Sequence, residues 1–345
     1  MRILIAVGFC SIAVGLVDAA PFPAKAEVKS KAPAPAPAPP KAGIKTPGIQ
    51  IPFEILKSEV QVPVETPGWI SVSDSIFVSN KSKDALVRID PKTNKALDPV
   101  PDLKKPCSGA VMAFSTLWVP NCGAQTVTRF DTKTNKATAT VASGTSDVTI
   151  GIAATPDSVW MITDSKTTLS RIDPAENKIV AEMRLPVACN SVAYGETSLW
   201  VTCPAETRLL RINPATNLVD KRIDVSAGPR AVAFGAGSVW VLCEKEGKVE
   251  RIDPKTNKVI KTIDLAVPNA GGNLAFGDGF IWVTQTGFPL TRIDPQTDKE
   301  RVAQQFWGDG GGLVSASPGA IWLSNVTRGT VEKFDPKRVI ATLAE

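Results

Sequence analysis

The phrase Arg-Ile-Asp-Pro, or a near variant, returns seven times along this chain, beginning at Arg88, Arg129, Arg171, Arg211, Arg251, Arg292 and Lys333. Successive gaps are 41, 42, 40, 40, 41 and 41 residues. An aromatic anchor precedes each copy: Phe77, Trp118, Trp160, Trp200, Trp240, Trp282 and Trp322, spaced 40–42 residues apart. A period of this length with four strand-like runs per unit is the signature of a β-propeller, in which each unit is one blade. The repeat therefore predicts an all-β fold, a seven-bladed β-propeller with four antiparallel strands per blade, over residues 51–345.

Blade five shows the local grammar. Ala231–Phe234 reads as strand a, Ser238–Leu242 as strand b, Val249–Ile252 as strand c and Lys258–Leu265 as strand d. Gly235-Ala-Gly237 supplies the positive-φ turn between a and b. Asp253-Pro-Lys-Thr-Asn257 forms the c–d turn: Pro presets φ, Asp bonds its own backbone and Asn tolerates the left-handed conformation. The repeat tryptophans read as packing units between blades. Two segments compete for strand d of the last blade, Glu54–Val62 and Arg338–Leu343. The N-terminal one is the expected closure, because joining the two chain ends removes a free sheet edge.

Ser-Val-Trp-Val and Arg-Ile-Asp-Pro-Lys-Thr-Asn-Lys resemble the YVTN-type propellers and the related virginiamycin B lyase (streptogramin lyase) group, over residues 51–345. That resemblance implies the scaffold. For the lyases themselves it also implies a magnesium-dependent elimination that uses a histidine beside a glutamate. This chain has no histidine, so no catalytic position transfers. The same count removes Ser-His-Asp and Cys-His chemistry and His-ligated zinc.

The N-terminus reads as an export signal. Arg2, the apolar run Ile3–Val17 and Ala24-Lys-Ala26 match a cleavable secretory leader over residues 1–26, and the apolar run is too short for a membrane-spanning helix. Residues 27–50 form a Pro/Ala/Lys-rich linker whose Ala-Pro alternation favours extended polyproline II. A periplasmic or secreted protein with no membrane span after cleavage is the expected product. Charge agrees that the tail is distinct. Residues 1–50 hold six Lys and Arg against two carboxylates, which leaves the other 295 residues at +1. A nucleic-acid partner is not expected from so balanced a folded region.

In an exported chain, cysteines are read first as bridges. Cys107 and Cys122 lie eleven residues before and four after the blade-two anchor, and Cys189 and Cys203 lie eleven before and three after that of blade four. The a–b hairpin brings such positions face to face, which predicts the disulfides Cys107–Cys122 and Cys189–Cys203. Cys243 remains, as a buried small hydrophobe, an exposed thiol, or a competitor for Cys203.

Loops d–a and b–c of a propeller share one face around the channel, and loops carried on rigid scaffolds hold most binding sites. Three residues after each anchor, Asn80, Asn121, Thr163, Cys203, Cys243, Gln285 and Asn325 form a ring. These groups either hold a cation or polar ligand, or satisfy backbone where strand b ends. Gln304–Gly312 and Thr286–Pro289 break the repeat. Phe306, Trp307 and Phe288 are the candidate aromatic platform, with Gln285, Asn273, Asn325 and Arg328 as polar partners. Trp307 packing on a neighbouring loop is the competing reading. Arg230 joins the ligand-binding candidates, and Glu244 and Asp309 are the candidate catalytic carboxylates, Asp309 being also a polar partner of the platform; Glu206 and Asp164 occupy similar loops.

Two functions follow as expectations. The first is a non-catalytic binding or scaffold protein, a monomer, whose loop face holds an envelope or extracellular protein, a polysaccharide or a small ligand. The second is a metal-dependent lyase or hydrolase using carboxylates, with Ca or Mg as the divalent cation and oxygen ligands drawn from the Asn, Asp and Glu side chains named above.

Overall fold

The computed structural model describes residues 48–296 and 302–342. The leader (1–26) and nearly all of the linker lie outside the described residues. Seven sheets are present, each of at least four strands. Within each sheet the four blade strands, a to d, pair antiparallel to their neighbours. Blade five runs through Pro229–Gly235, Ser238–Cys243, Lys248–Asp253 and Lys258–Asp264, within a residue or two of the expected spans. Among the described residues no helix is long and apolar enough to cross a membrane.

Strand b is the buried strand: Ser198–Thr202 and Val159–Thr163 are buried at every position. Strand d forms the outer edge and alternates between exposed and half-buried side chains, as in Lys178–Arg184. All six repeat tryptophans and Phe77 are fully buried. Each packs in an apolar cluster with the neighbouring blade, as Trp200 does with Val232, Val239 and Ile252.

The repeated Arg explains why the phrase recurs. It pairs across strands b and c with the anchor of its own blade, Arg211 opposite Trp200 and Arg251 opposite Trp240. The guanidinium lies over the indole, 5.3 Å from the ring centre for Arg211. Arg211 Nε donates to Ser198 Oγ at 2.9 Å, which accounts for the Ser two places before the anchor. Its Nη1 then donates to the carbonyl of Pro254 in the next blade at 2.8 Å. Arg129, Arg171 and Arg251 reach the next blade's Pro carbonyl in the same way. Blade two has Thr132 where the others have Pro, and there Asp74 of blade one accepts the Thr132 hydroxyl at 2.6 Å.

The turns correct one detail. Positive φ falls on Ala236 (49°) and Gly237 (67°), with Gly235 outside the left-handed region. Gly235 is needed for room, because a Cβ there would sit 2.1 Å from Phe276 Cγ of the next blade. In the c–d turns Asn94, Asn135, Asn177, Asn217 and Asn257 all have φ between 54° and 59°, as expected.

The N-terminal segment closes the ring, through Val60–Pro63, which pairs antiparallel with strand c of blade seven (Thr330–Phe334). The C-terminal candidate is not a strand. Pro336–Ala341 is a short helix capped by Asp335, whose side chain accepts from Lys337 N, with Pro at the first turn. One further strand was not foreseen: Ile49–Pro52 runs parallel to Val302–Trp307, making blade six five-stranded.

Candidate functional site

The d–a and b–c loops meet around the channel in a basin of about 560 Å³ to which every blade contributes. Ten residues before the anchor stand Pro67, Ser108, Asn190, Arg230, Gly272 and Gly312, and all six line it. Blade three supplies Thr149, one place earlier. This wall is cross-linked from blade to blade. Asn190 Nδ2 donates to Thr149 Oγ1 at 2.5 Å and to the Arg230 carbonyl at 3.4 Å. Arg230 Nε donates to the Gly272 carbonyl at 3.0 Å, and its Nη1 pairs with Glu244 Oε2 at 3.1 Å.

Both expected disulfides are present and lie on this face, with separations of 15 and 14 residues. Cys107 lines the basin itself. Closing loops of that size removes unfolded-state freedom worth about 3 kcal/mol each. Cys243 is a free, fully buried thiol, and burial pushes its pKa far above the usual thiol range.

Of the candidate ligand residues, the structure brings only Gln285 and Arg230 into the basin wall. Gln285 is buried; its Nε2 donates to the Val267 carbonyl at 2.9 Å while its Oε1 has no partner. Asn273 is buried in strand a of blade six, and Asn325 bonds Glu332 and the Arg328 backbone. Arg328 is held by Glu332 at 3.4 Å. Phe306 is not a platform residue. It lies fully buried in strand d of blade six, packed among Leu290, Val314 and Phe334. The added strand covers what in other blades is an exposed edge, which is why this strand d carries buried side chains. Trp307 ends that strand opposite Pro52, and Phe288 opens strand c. Neither lines the basin, because strands c and d lie toward the outside of a blade.

The ring three residues after the anchors mostly serves the fold. Asn80 accepts from Thr66 and Ser82, Asn121 donates to Thr128 Oγ1 and Thr163 bonds Ser170. Gln285 is the member of that ring left facing the basin. The two carboxylates also separate: Glu244 is tied to Arg230, whereas Asp309 is exposed outside the wall. The glycines around Asp309 let the loop lie flat on blade seven, since a Cβ at Gly312 would fall 2.3 Å from the Ser324 carbonyl oxygen. Among the described residues, no three or more Cys, Asp or Glu side chains gather where they could hold a metal ion.

Sequence reasoning missed Trp69, Lys81, Lys105 and Lys166, all on the wall. The ten-before-anchor register was a readable signal for the wall backbone. The lysines stand in loops of differing length, where no register marks them.

No family model matches the chain, and no curated protein matches it. Among solved structures it is similar to virginiamycin B lyase from Staphylococcus aureus, with 17% identity over 80% of this chain and 98% of that one, at a TM-score of 0.67. It is similar also to hydrazine synthase of Kuenenia stuttgartiensis, with 16% identity over 81% and 97% of the two chains and a TM-score of 0.65. The β-propeller domain of Cps50 from Myceliophteria thermophila aligns at 11% identity over 81% and 99%, with a TM-score of 0.67. A lyase, a synthase and a Cps50 domain are thus carried by one scaffold. What this chain shares with them is the seven-bladed architecture.

Proposed function

We propose that this protein is an exported binding propeller that holds a ligand or protein partner in the central basin of its loop face. The observation that carries the reading is the basin itself, a concavity of about 560 Å³ to which all seven blades contribute. Its size falls in the range of small-molecule sites, about 300–1,000 Å³. The wall is rigid: inter-blade hydrogen bonds and a disulfide pin it, so binding there costs little ordering of the protein. Export is supported by the leader-like N-terminus and by two disulfides, which persist in oxidising compartments. A non-catalytic role fits the carboxylates, since Glu244 is engaged by Arg230 and Asp309 stands apart.

The test uses two exposed wall residues, Thr286 and Val326. Val326→Trp and Thr286→Trp would fill the basin without touching the core. Protein isolated from its producing cells is analysed by native mass spectrometry beside each variant. A bound mass present in the parent and lost in both variants supports the basin as the site. Retention of the same mass in the filled variants would overturn it.

A further inference from the structure

The charge of the basin names a class of ligand, an inference that rests on the binding reading above. Lys81 and Lys166 enter from b–c loops, Lys105 from a d–a loop and Arg230 from the start of strand a, against the carboxylates Asp84 and Asp147. With Arg230 offset by Glu244, three lysines against two carboxylates in one concavity give an excess of one positive charge, as much as the whole folded region carries. Arg230 is paired with Glu244, but the three lysines form no ion pair among the described residues. A concave wall with low-dielectric sides focuses such a field.

Two neutral groups on the same wall lack partners. Trp69 is 4% exposed, and its indole N–H, which can only donate, has no acceptor. Gln285 is 1% exposed, and its Oε1, which can only accept, has no donor. Ten buried side-chain atoms among the described residues lack a partner, the indole nitrogens of Trp160 and Trp322 included; Trp69 and Gln285 are the two of these residues that line the basin, where a ligand's own groups would complete them.

We propose that the basin binds a small organic anion carrying carboxylate or phosphate groups together with a hydroxyl or amino group. Its anionic oxygens meet Lys81, Lys105, Lys166 and the Trp69 N–H, and its hydroxyl or amino hydrogen meets Gln285 Oε1. Lysine is a flexible point charge, so the site selects for charge more than for the planar geometry an arginine fork would demand.

Calorimetric titration of the full disulfide-bonded chain at low salt tests this with four probes: citrate, pyrophosphate, galacturonate and, as the uncharged control, galactose. Binding of citrate or galacturonate points to a carboxylate ligand, and binding of pyrophosphate to a phosphate one. The expected result is that at least one anion binds about tenfold or more tightly than galactose. The combined variant Lys81→Gln, Lys105→Gln, Lys166→Gln should lose about tenfold or more of that affinity with an unchanged melting temperature. Trp69→Phe, which keeps the ring and removes the N–H, should lose roughly fivefold. Anion binding that the lysine variant leaves unchanged would overturn the proposal, as would the absence of binding by every anion. Galactose binding blocked by Val326→Trp, with no anion preference, would sink the anion assignment while keeping the basin. No probe binding, together with a native partner retained by the filled variants, would remove both.

Discussion

Arg211 of blade four donates to the main-chain carbonyl of Pro254 in blade five, 2.8 Å away, while its guanidinium covers Trp200 of its own blade. One side chain thus ties strand b, strand c and the next blade. Arg211→Met should cost about 1–3 kcal/mol, from the lost cation–π contact and charge-assisted hydrogen bonds. The shift in urea midpoint, measured with disulfides intact, checks it. An unchanged midpoint would show that the interblade bond is dispensable.

Phe306 distinguishes core from platform. Phe306→Ala removes a fully buried ring and should destabilise by about 3–5 kcal/mol. Ligand affinity of the folded fraction should be unaltered, because the ring does not reach the basin. Unaltered stability with lost binding would contradict this placement.

Ring closure depends on a few N-terminal residues. Val62 and Val64 are buried against Ile70, Trp322 and Val331, joining blades seven and one. Val62→Asp buries a charge in that cluster and should open the ring, raising proteolysis of the first and last blades. Ile49→Asp changes an exposed position on the added strand and should have little effect. Equal sensitivity at both sites would argue against the closing strand.

Acid acts through the c–d turns. Backbone hydrogen bonds from Lys92, Lys133 and Lys255, followed by threonine hydroxyls, lower the pKa values of Asp90, Asp131 and Asp253 below the ordinary 3.8. A carboxylate depressed in the folded state stabilises above its unfolded pKa and loses that contribution as pH falls through the folded one. Melting temperature should therefore drop below about pH 4. The triple Asp→Asn variant should show a shallower drop. Asn213 already caps the blade-four turn, accepting from Ala215 N at 2.9 Å, so the amide keeps the turn.

Cys243 should stay silent toward iodoacetamide at pH 8 in the folded protein and react once it is unfolded. Burial, more than the nearby Glu250 and Glu246, holds the thiol protonated. Rapid alkylation of the native state would show that strand b of blade five opens.

Much of this was legible because a blade is a local object. The anchor, the Arg opposite it and the Asp-Pro turn fall within one repeat, so spacing alone placed the strands. The same register brought Cys107 to Cys122 and Cys189 to Cys203. The break at Gln304–Trp307 misled for a physical reason. A strand d is half-exposed in most blades, so two glutamines followed by Phe306 and Trp307 read there as a break in the repeat. In fact they answer to partners far away in sequence: Gln305 bonds Gln50 and the Leu265 carbonyl, and Gln304 bonds Val339.

The seven blades, their strands and the two bridges were legible in the chain because each rests on contacts within one repeat period, and histidine chemistry was excluded by composition alone. The C-terminal helix, the added parallel strand on blade six and the side chains around the channel were settled by tertiary contacts. Lys81, Lys105, Lys166, Arg230 and Gln285 lie on separate loops, and they share one basin only because closure of the disc brings those loops to a common centre.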